Sequence, residues 1–177
     1  IAVARFEFPY MAVRRATGNK RPPDRQPILM QTWREVIAQL GEQPGIRPGG
    51  RRLAIGGKSM GGRMASLLAA EDDNHGIGGD IAALVCLGYP FHPAGKPDRL
   101  RTEHLAELSL PSLIVQGERD ALGNRAEVES YSLSETIQVH WCPDGDHDLT
   151  PRKRSGHSQE DNWAAAMDAV AGFLGSL

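Results

Sequence analysis

Two cysteines in 177 residues are too few for a disulfide framework, and they form no C-x-x-C pair that would hold zinc. Cys86 and Cys142 fall in or at the end of strand-like runs, so they are expected as small buried hydrophobes in a reducing compartment. No apolar run approaches the roughly 20 residues of a membrane span, and the N-terminus lacks a basic stretch followed by an apolar one and a cleavage site. Strong charge of either sign is also missing. Lys and Arg number 20 against 22 Asp and Glu, and a net charge of -2 gives no electrostatic reason to expect nucleic acid or a membrane as partner. Internal repeats, low-complexity tracts and linkers are absent too. What is left is a soluble, cytoplasmic protein of ordinary globular composition, 40% hydrophobic and 24% charged, with the length of a single domain over residues 1–177. The chain opens at Ile1 within an apolar run, so the natural protein is expected to begin earlier.

The most informative stretch is Leu53 to Met64, an apolar run that breaks into glycines around one serine and resumes as a helix. Gly57-Lys58-Ser59-Met60-Gly61 reads G-x-S-x-G, which sets a serine on a turn so tight that the residues at minus two and plus two must lack side chains. The hydroxyl is then lifted above a sheet at a helix N-terminus, where it can act as a nucleophile. The Met60 N–H, an unpaired donor of the first helical turn, would point to where an oxyanion forms. A phosphate-binding loop is excluded, because G-x-x-x-x-G-K-[ST] needs glycine where Arg52 stands. An ordinary strand-to-helix turn with an incidental serine is the plainer reading, and the strand, turn and helix context weighs against it.

Along the chain, Ile1 to Phe8 alternates like a strand, and residues 11–27 read as a polar, proline-rich surface excursion. Trp33, Val36, Ile37 and Leu40 share one helical face, and a turn over 44–50 leads into a strand from Arg52 to Gly56. The helix after Ser59 carries Met60, Met64, Leu67 and Leu68 inward and ends in the polar run 71–75. Ile81 to Leu87 is a continuous apolar run, as for a strand covered on both faces. Further strands are expected over Pro111 to Gln116 and Thr136 to Trp141, with a short helix over Leu100 to Leu108. Asn124 and Glu127 fit a capping box that opens a helix to Leu133. After the polar loop 149–160, a C-terminal helix aligns Trp163, Met167, Val170 and Leu174 on one face. Strands alternating with helices predict an α/β fold with a mostly parallel central sheet of five strands.

Ligands of such a sheet bind beyond the carboxyl ends of its strands. Ser59, Asp120 and His147 each follow a strand, in the chain order Ser, Asp, His. A serine hydroxyl needs an imidazole to take its proton, and the imidazole needs a carboxylate to hold its tautomer and stabilise its cation. Taken alone, Asp120 could cap a turn, and His147 could be a solvated loop residue or, with His140, a metal ligand. No second pair of ligands has metal-site spacing, so no metal is expected. Asp144, Asp146 and Asp148, beside His147 on one tight turn, are poorly placed to face its ring.

The chain resembles the α/β-hydrolase superfamily. More narrowly it looks like the small group that includes bacterial dienelactone-hydrolase-like proteins and the hydrolase-like subunit of a histone acetyltransferase regulatory complex. The likeness is carried by Arg5 to Met11, Gly56 to Arg63, Gly88 to Pro93, Leu100 to Leu105, Gln116 to Asp120 and Asp144 to His147. It implies a hydrolase fold with Ser59 as nucleophile, Asp120 as acid and His147 as base. In that superfamily a second oxyanion donor comes from a loop after the strand preceding the one expected at Ile1, so the chain is expected to lack its first strands and that donor.

The leading expectation is a serine hydrolase of small esters, thioesters or related acyl compounds, working without an organic or metal cofactor. Its partner would be a small acyl substrate. The alternative is a non-catalytic hydrolase-fold interaction module. Tyr89, Phe91 and His92, in the proline-rich loop after the Ile81 to Leu87 run, could line an open, shallow site or simply pack that loop.

Overall fold

In the computed structural model, which describes residues 1–42, 52–72 and 81–177, Pro9 and Gly18 bracket the first helix, α1 (Pro9–Thr17). The polar excursion expected from residue 11 is helical in its first part. Pro9 presets the backbone at the first helical position, and Arg14 and Arg15 sit favourably in the last turn. Gly18 closes the helix at φ 70°, donating its N–H to Arg14 O at 2.8 Å. A second helix, α2 (Gln26–Glu42), buries Leu29, Met30, Trp33 and Ile37. Val36 and Leu40, expected on the same face, are only half-buried. The Tyr10 N–H donates to Asp24 Oδ2 at 3.0 Å, tying the two helices together, and Phe6 meets Trp33 edge-on at 4.7 Å. These elements belong to one compact unit, Ile1–Arg52.

Residues 1–8 form no strand, contrary to the alternating pattern. Alternation becomes a strand only with a hydrogen-bonded neighbour, and residues 1–8 take part in no β-ladder. The turn expected at 44–50 and the last part of the polar run 71–75 lie outside the described residues.

The second unit, Leu53–Leu177, holds four parallel strands in the order β1-β2-β3-β4. They are β1 (Leu53–Lys58), β2 (Ile81–Leu87), β3 (Ser112–Gly117) and β4 (Ile137–Cys142), so the sheet has four described strands rather than five. Every residue of β3 is buried, as an interior strand of a parallel sheet requires, and each large aliphatic buried there stabilises the fold by about 1.5–3 kcal/mol. Alternation sends Leu113 and Val115 to one face, into a core with Ala83, Cys142, Leu149, Ala166 and Phe173. Ile114 and Gln116 face the other way.

Helix α3 (Met60–Asp72) packs on β1 and β2 and buries Met64, Ala65 and Leu68. Met60 and Leu67 are only half-buried. The helix over Leu100 to Leu108 shrinks to α4 (Glu103–Ala106), and that after Asn124 to α5 (Arg125–Val128). Its capping box is formed, with Asn124 accepting from Glu127 N at 3.1 Å and donating its own N–H to Glu127 Oε2 at 2.9 Å. The helix stops early because serines follow. Ser130 Oγ donates back to Glu127 O at 2.6 Å, the kind of local bond that competes with helix continuation. Helix α6 (Gln159–Gly175) buries Asn162, Ala166 and Phe173, whereas Trp163 and Met167 are exposed. Of the expected face, Val170 and Leu174 pack partly buried against the core, but Trp163 and Met167 are replaced inside by Asn162 and Ala166. Asn162 turns inward because its amide has acceptors there, Pro143 O at 3.1 Å and Leu149 O at 2.9 Å.

Candidate active site

Ser59 stands between the end of β1 and the start of α3 with φ 52°, a left-handed conformation that costs a non-glycine residue energy. Two backbone bonds hold it there: its N–H donates to Leu87 O at 2.9 Å, and Arg63 N–H donates to its carbonyl at 3.0 Å. The tight packing of the turn falls on a different pair of glycines from the one the motif suggests. A Cβ on Gly57 would lie 2.9 Å from Gly61 C, and one on Gly62 would lie 2.6 Å from Gly57 O and 3.1 Å from Cys86 Sγ. A Cβ on Gly61 would meet open space. Gly57 and Gly62 let strand and helix approach; Gly61 is not needed for that contact. Met60 is the first helical residue, where a backbone N–H has no intrahelical acceptor.

The structure brings Ser59, His147 and Asp120 together across the carboxyl end of the sheet. Ser59 Oγ is 2.9 Å from His147 Nε2, and His147 Nδ1 is 2.8 Å from Asp120 Oδ2. The His147 side chain is 29% exposed and that of Asp120 is 0%, so the hydrogen-bonded chain runs from a buried carboxylate to an accessible hydroxyl. With Nδ1 protonated toward Asp120, Nε2 is left to accept the Ser59 O–H.

Asp120 is more fully held than a lone turn residue would be. Gln116 donates to its Oδ2 at 2.9 Å, and Leu122 N–H donates to its Oδ1 at 2.8 Å. The buried Gln116 also accepts from Tyr89 N–H at 2.7 Å and donates to Gly123 O at 3.1 Å, joining the loops after β2 and β3. Its role was hidden because a glutamine at the end of an apolar strand carries no motif of its own.

The turn bearing His147 is fastened on three sides. Glu118 Oε2 accepts from Asp144 N–H at 3.0 Å, and Arg119 N–H donates to Gly145 O at 2.8 Å. Lys58 Nζ donates to His147 O at 3.0 Å and pairs with Asp148. From α6, Trp163 Nε1 and Gln159 Nε2 both donate to Asp148 O at 3.4 Å. The neighbouring carboxylates are therefore engaged elsewhere. Hydrogen bonds from Arg152, with Arg119 adding its charge, hold Asp144 down at about 2. Asp146 Oδ1 accepts from Asp148 N–H at 2.9 Å and Thr150 N–H at 3.0 Å. The Lys58 ammonium keeps Asp148 below the usual carboxylate range.

Tyr89, Phe91 and His92 are buried within the packing of their own loop. Tyr89 Oη donates to Arg101 O at 3.2 Å, Phe91 meets Tyr89 edge-on and Tyr131 at a tilt, and His92 Nε2 is 3.3 Å from Glu127 Oε2. None of the three side chains bonds to Ser59, His147 or Asp120. Among the described residues no group of three or more His, Cys, Asp or Glu side chains could hold a metal ion. No described helix is long and apolar enough to cross a membrane.

The sequence matches the alpha/beta hydrolase domain family over residues 1–175, and the chain belongs to that family. Solved structures of the same fold include a Pyrococcus furiosus esterase, 15% identical with a TM-score of 0.59, where the match covers 83% of this chain and 60% of that one. An alpha-beta serine hydrolase homologue from Coxiella burnetii is 15% identical with a TM-score of 0.54, over 72% and 54% of the two chains. A Paleococcus ferrophilus monoacylglycerol lipase is 12% identical with a TM-score of 0.58, over 86% and 77%. The chain thus spans well under two thirds of the length of the first two.

Proposed function

We propose that this chain carries the catalytic centre of a serine hydrolase acting on a small ester, thioester or related acyl substrate. The observation that carries the reading is the hydrogen-bonded chain from Ser59 Oγ through His147 to Asp120, at 2.9 and 2.8 Å. As Ser59 Oγ bonds to the acyl carbon, its proton passes to His147 Nε2, and the buried Asp120 carboxylate stabilises the imidazolium. The Met60 N–H, at the positive end of α3, receives the negative oxygen of the tetrahedral intermediate. Collapse breaks the bond to the alcohol or thiol, which leaves with the proton from Nε2. Water, deprotonated by the same imidazole, then releases the acid and restores Ser59.

The likeness to structures named as an esterase and a monoacylglycerol lipase supports an acyl substrate as a class. The buried, unpaired Cys86 and Cys142 suit a cytoplasmic setting; burial raises both thiols, Cys142 to about 11, which disfavours the nucleophilic thiolate at each. The test is labelling with a fluorophosphonate probe, alongside hydrolysis of p-nitrophenyl acetate. Labelling and turnover that both vanish in Ser59→Ala, with the circular dichroism unchanged, are expected. A folded native chain that takes no label and turns over no ester would overturn the reading.

A further inference from the structure

One turn beyond Ser59 stands a cation, Arg63, with no counter-ion among the described residues. Arg63 follows directly from the serine turn, and a helical side chain leans toward the N-terminus of its helix, which here is the end that presents Ser59. Its Nε is buried and has no hydrogen-bond partner. Its terminal nitrogens form no hydrogen bond or ion pair among the described residues.

A second arginine is brought to the same end of the sheet by the loop that follows β2. Arg101 N–H donates to Phe91 O at 2.8 Å, and Arg101 O accepts from Tyr89 Oη at 3.2 Å. Tyr89 Oη lies 3.3 Å from Ser66 Oγ, and Ser66 Oγ donates to Arg63 O at 2.9 Å, so one network joins the backbone of Arg101 to that of Arg63. The Arg101 guanidinium is also unpaired among the described residues; Asp98 and Glu103, its nearest carboxylates in sequence, make no bond to it. His104 Nε2 completes the network 2.8 Å from Ser66 Oγ. Burial, with the charge of Arg63 adding, lowers His104 to about 4, so it is neutral at pH 7 and adds no third positive charge.

Burial and the charge of Arg63 both lower Arg101, so the two half-buried arginines repel and are poorly solvated, and no carboxylate among the described residues pairs with either guanidinium. An anion placed between them removes both costs, and the planar fork of arginine suits the paired oxygens of a carboxylate or phosphate. We propose that Arg63 and Arg101 bind an oxyanion carried by the substrate a few bonds from its scissile carbonyl. The enzyme is then a hydrolase of negatively charged acyl compounds. This deepens the hydrolase reading and rests on it.

The test compares mono(4-nitrophenyl) adipate, which carries a free carboxylate, with 4-nitrophenyl hexanoate, each corrected for uncatalysed hydrolysis. The native protein is expected to favour the adipate in kcat/KM. That preference should fall about tenfold or more in Arg101→Gln and in Arg63→Gln, as loss of a hydrogen bond to a charged group warrants, and recover in part in Arg101→Lys. Should Arg63→Gln fail to fold, the two loop variants at Arg101 decide the matter.

A second arm measures adipate and inorganic phosphate binding to Ser59→Ala by calorimetry, with and without Arg101→Gln. Binding that needs Arg101 supports the anion site even if neither ester is turned over, in which case only the hydrolase reading fails. Tighter binding of phosphate than of adipate identifies a phosphorylated substrate, and the reverse a carboxylated one. Turnover with a preference that neither arginine affects, or no anion binding to Ser59→Ala, overturns the proposal.

Discussion

Gln116 and Asp120 meet side chain to side chain at 2.9 Å, amide nitrogen to carboxylate oxygen, where β3 turns into the loop that faces His147. Both are fully buried, so the bond fixes the carboxylate without competition from water. Gln116→Met keeps the volume but removes every polar contact. It should lower stability by about 1–3 kcal/mol through the partners left unsatisfied, and lower kcat/KM about tenfold as Asp120 loses its orientation. Urea unfolding and ester kinetics on the same preparation check both. Unchanged kinetics would mean that Leu122 and His147 alone suffice to hold Asp120.

Gly88, at the end of β2, abuts the imidazole from behind. A Cβ there would stand 3.0 Å from His147 O and 3.4 Å from ring atoms Cε1 and Nδ1, and the residue has φ +61°. Gly88→Ala is expected to cost about 1–2 kcal/mol in backbone strain. It should also displace the ring, reducing kcat more than KM rises. A crystal structure of the variant with the Ser59–His147 distance unchanged would count against the second effect.

Lys58 and Asp148 form a surface pair beside the site, with Lys58 also holding the carbonyl of His147. Exposed pairs contribute about 0–1 kcal/mol to stability, so Lys58→Met should scarcely move the unfolding midpoint. A several-fold fall in kcat is expected instead, from a looser His147 turn. The Asp148 carboxyl is held below 3.8, so the pair is intact above that pH and is lost as pH falls through the lowered value. Assays between pH 6 and 8 therefore see it fully formed. Equal losses of stability and activity would show that the pair holds the fold and not the histidine.

His104 makes stability depend on mild acid. Its pKa is lowered from 6.5 to about 4 in the folded chain, so between those values the unfolded state binds more protons. Stability must then decline as pH falls from about 6.5, with the loss complete below about 4. Melting temperatures across that range should drop less steeply in His104→Gln, whose side chain cannot charge. Parallel curves would assign the acid sensitivity to other groups.

Features that depend on local chemistry could be read before any coordinates. Glycines around Ser59, a capping box at Asn124 and Glu127, apolar runs at 81–87 and 111–116, and polar residues at strand ends all report preferences that a few neighbouring residues impose. The helix α1 was legible in principle, since Pro9 and Gly18 bracket it, but basic composition outweighed those signals. What needed the tertiary structure was everything that depends on a partner distant in the chain. An alternating run at 1–8 is a strand only beside another strand. The buried face of α6 turned on acceptors for Asn162 that lie in the loop after β4. Gly62 rather than Gly61 proved close-packed because Cys86 comes from the next strand. Gln116 gained its role from Asp120, Tyr89 and Gly123, and the Arg63 Nε was left buried without a partner by the groups that the fold packs around it. Periodicity and turn propensity act over a few residues, whereas burial and hydrogen-bond satisfaction are decided by whichever groups the folded chain brings within a few ångströms.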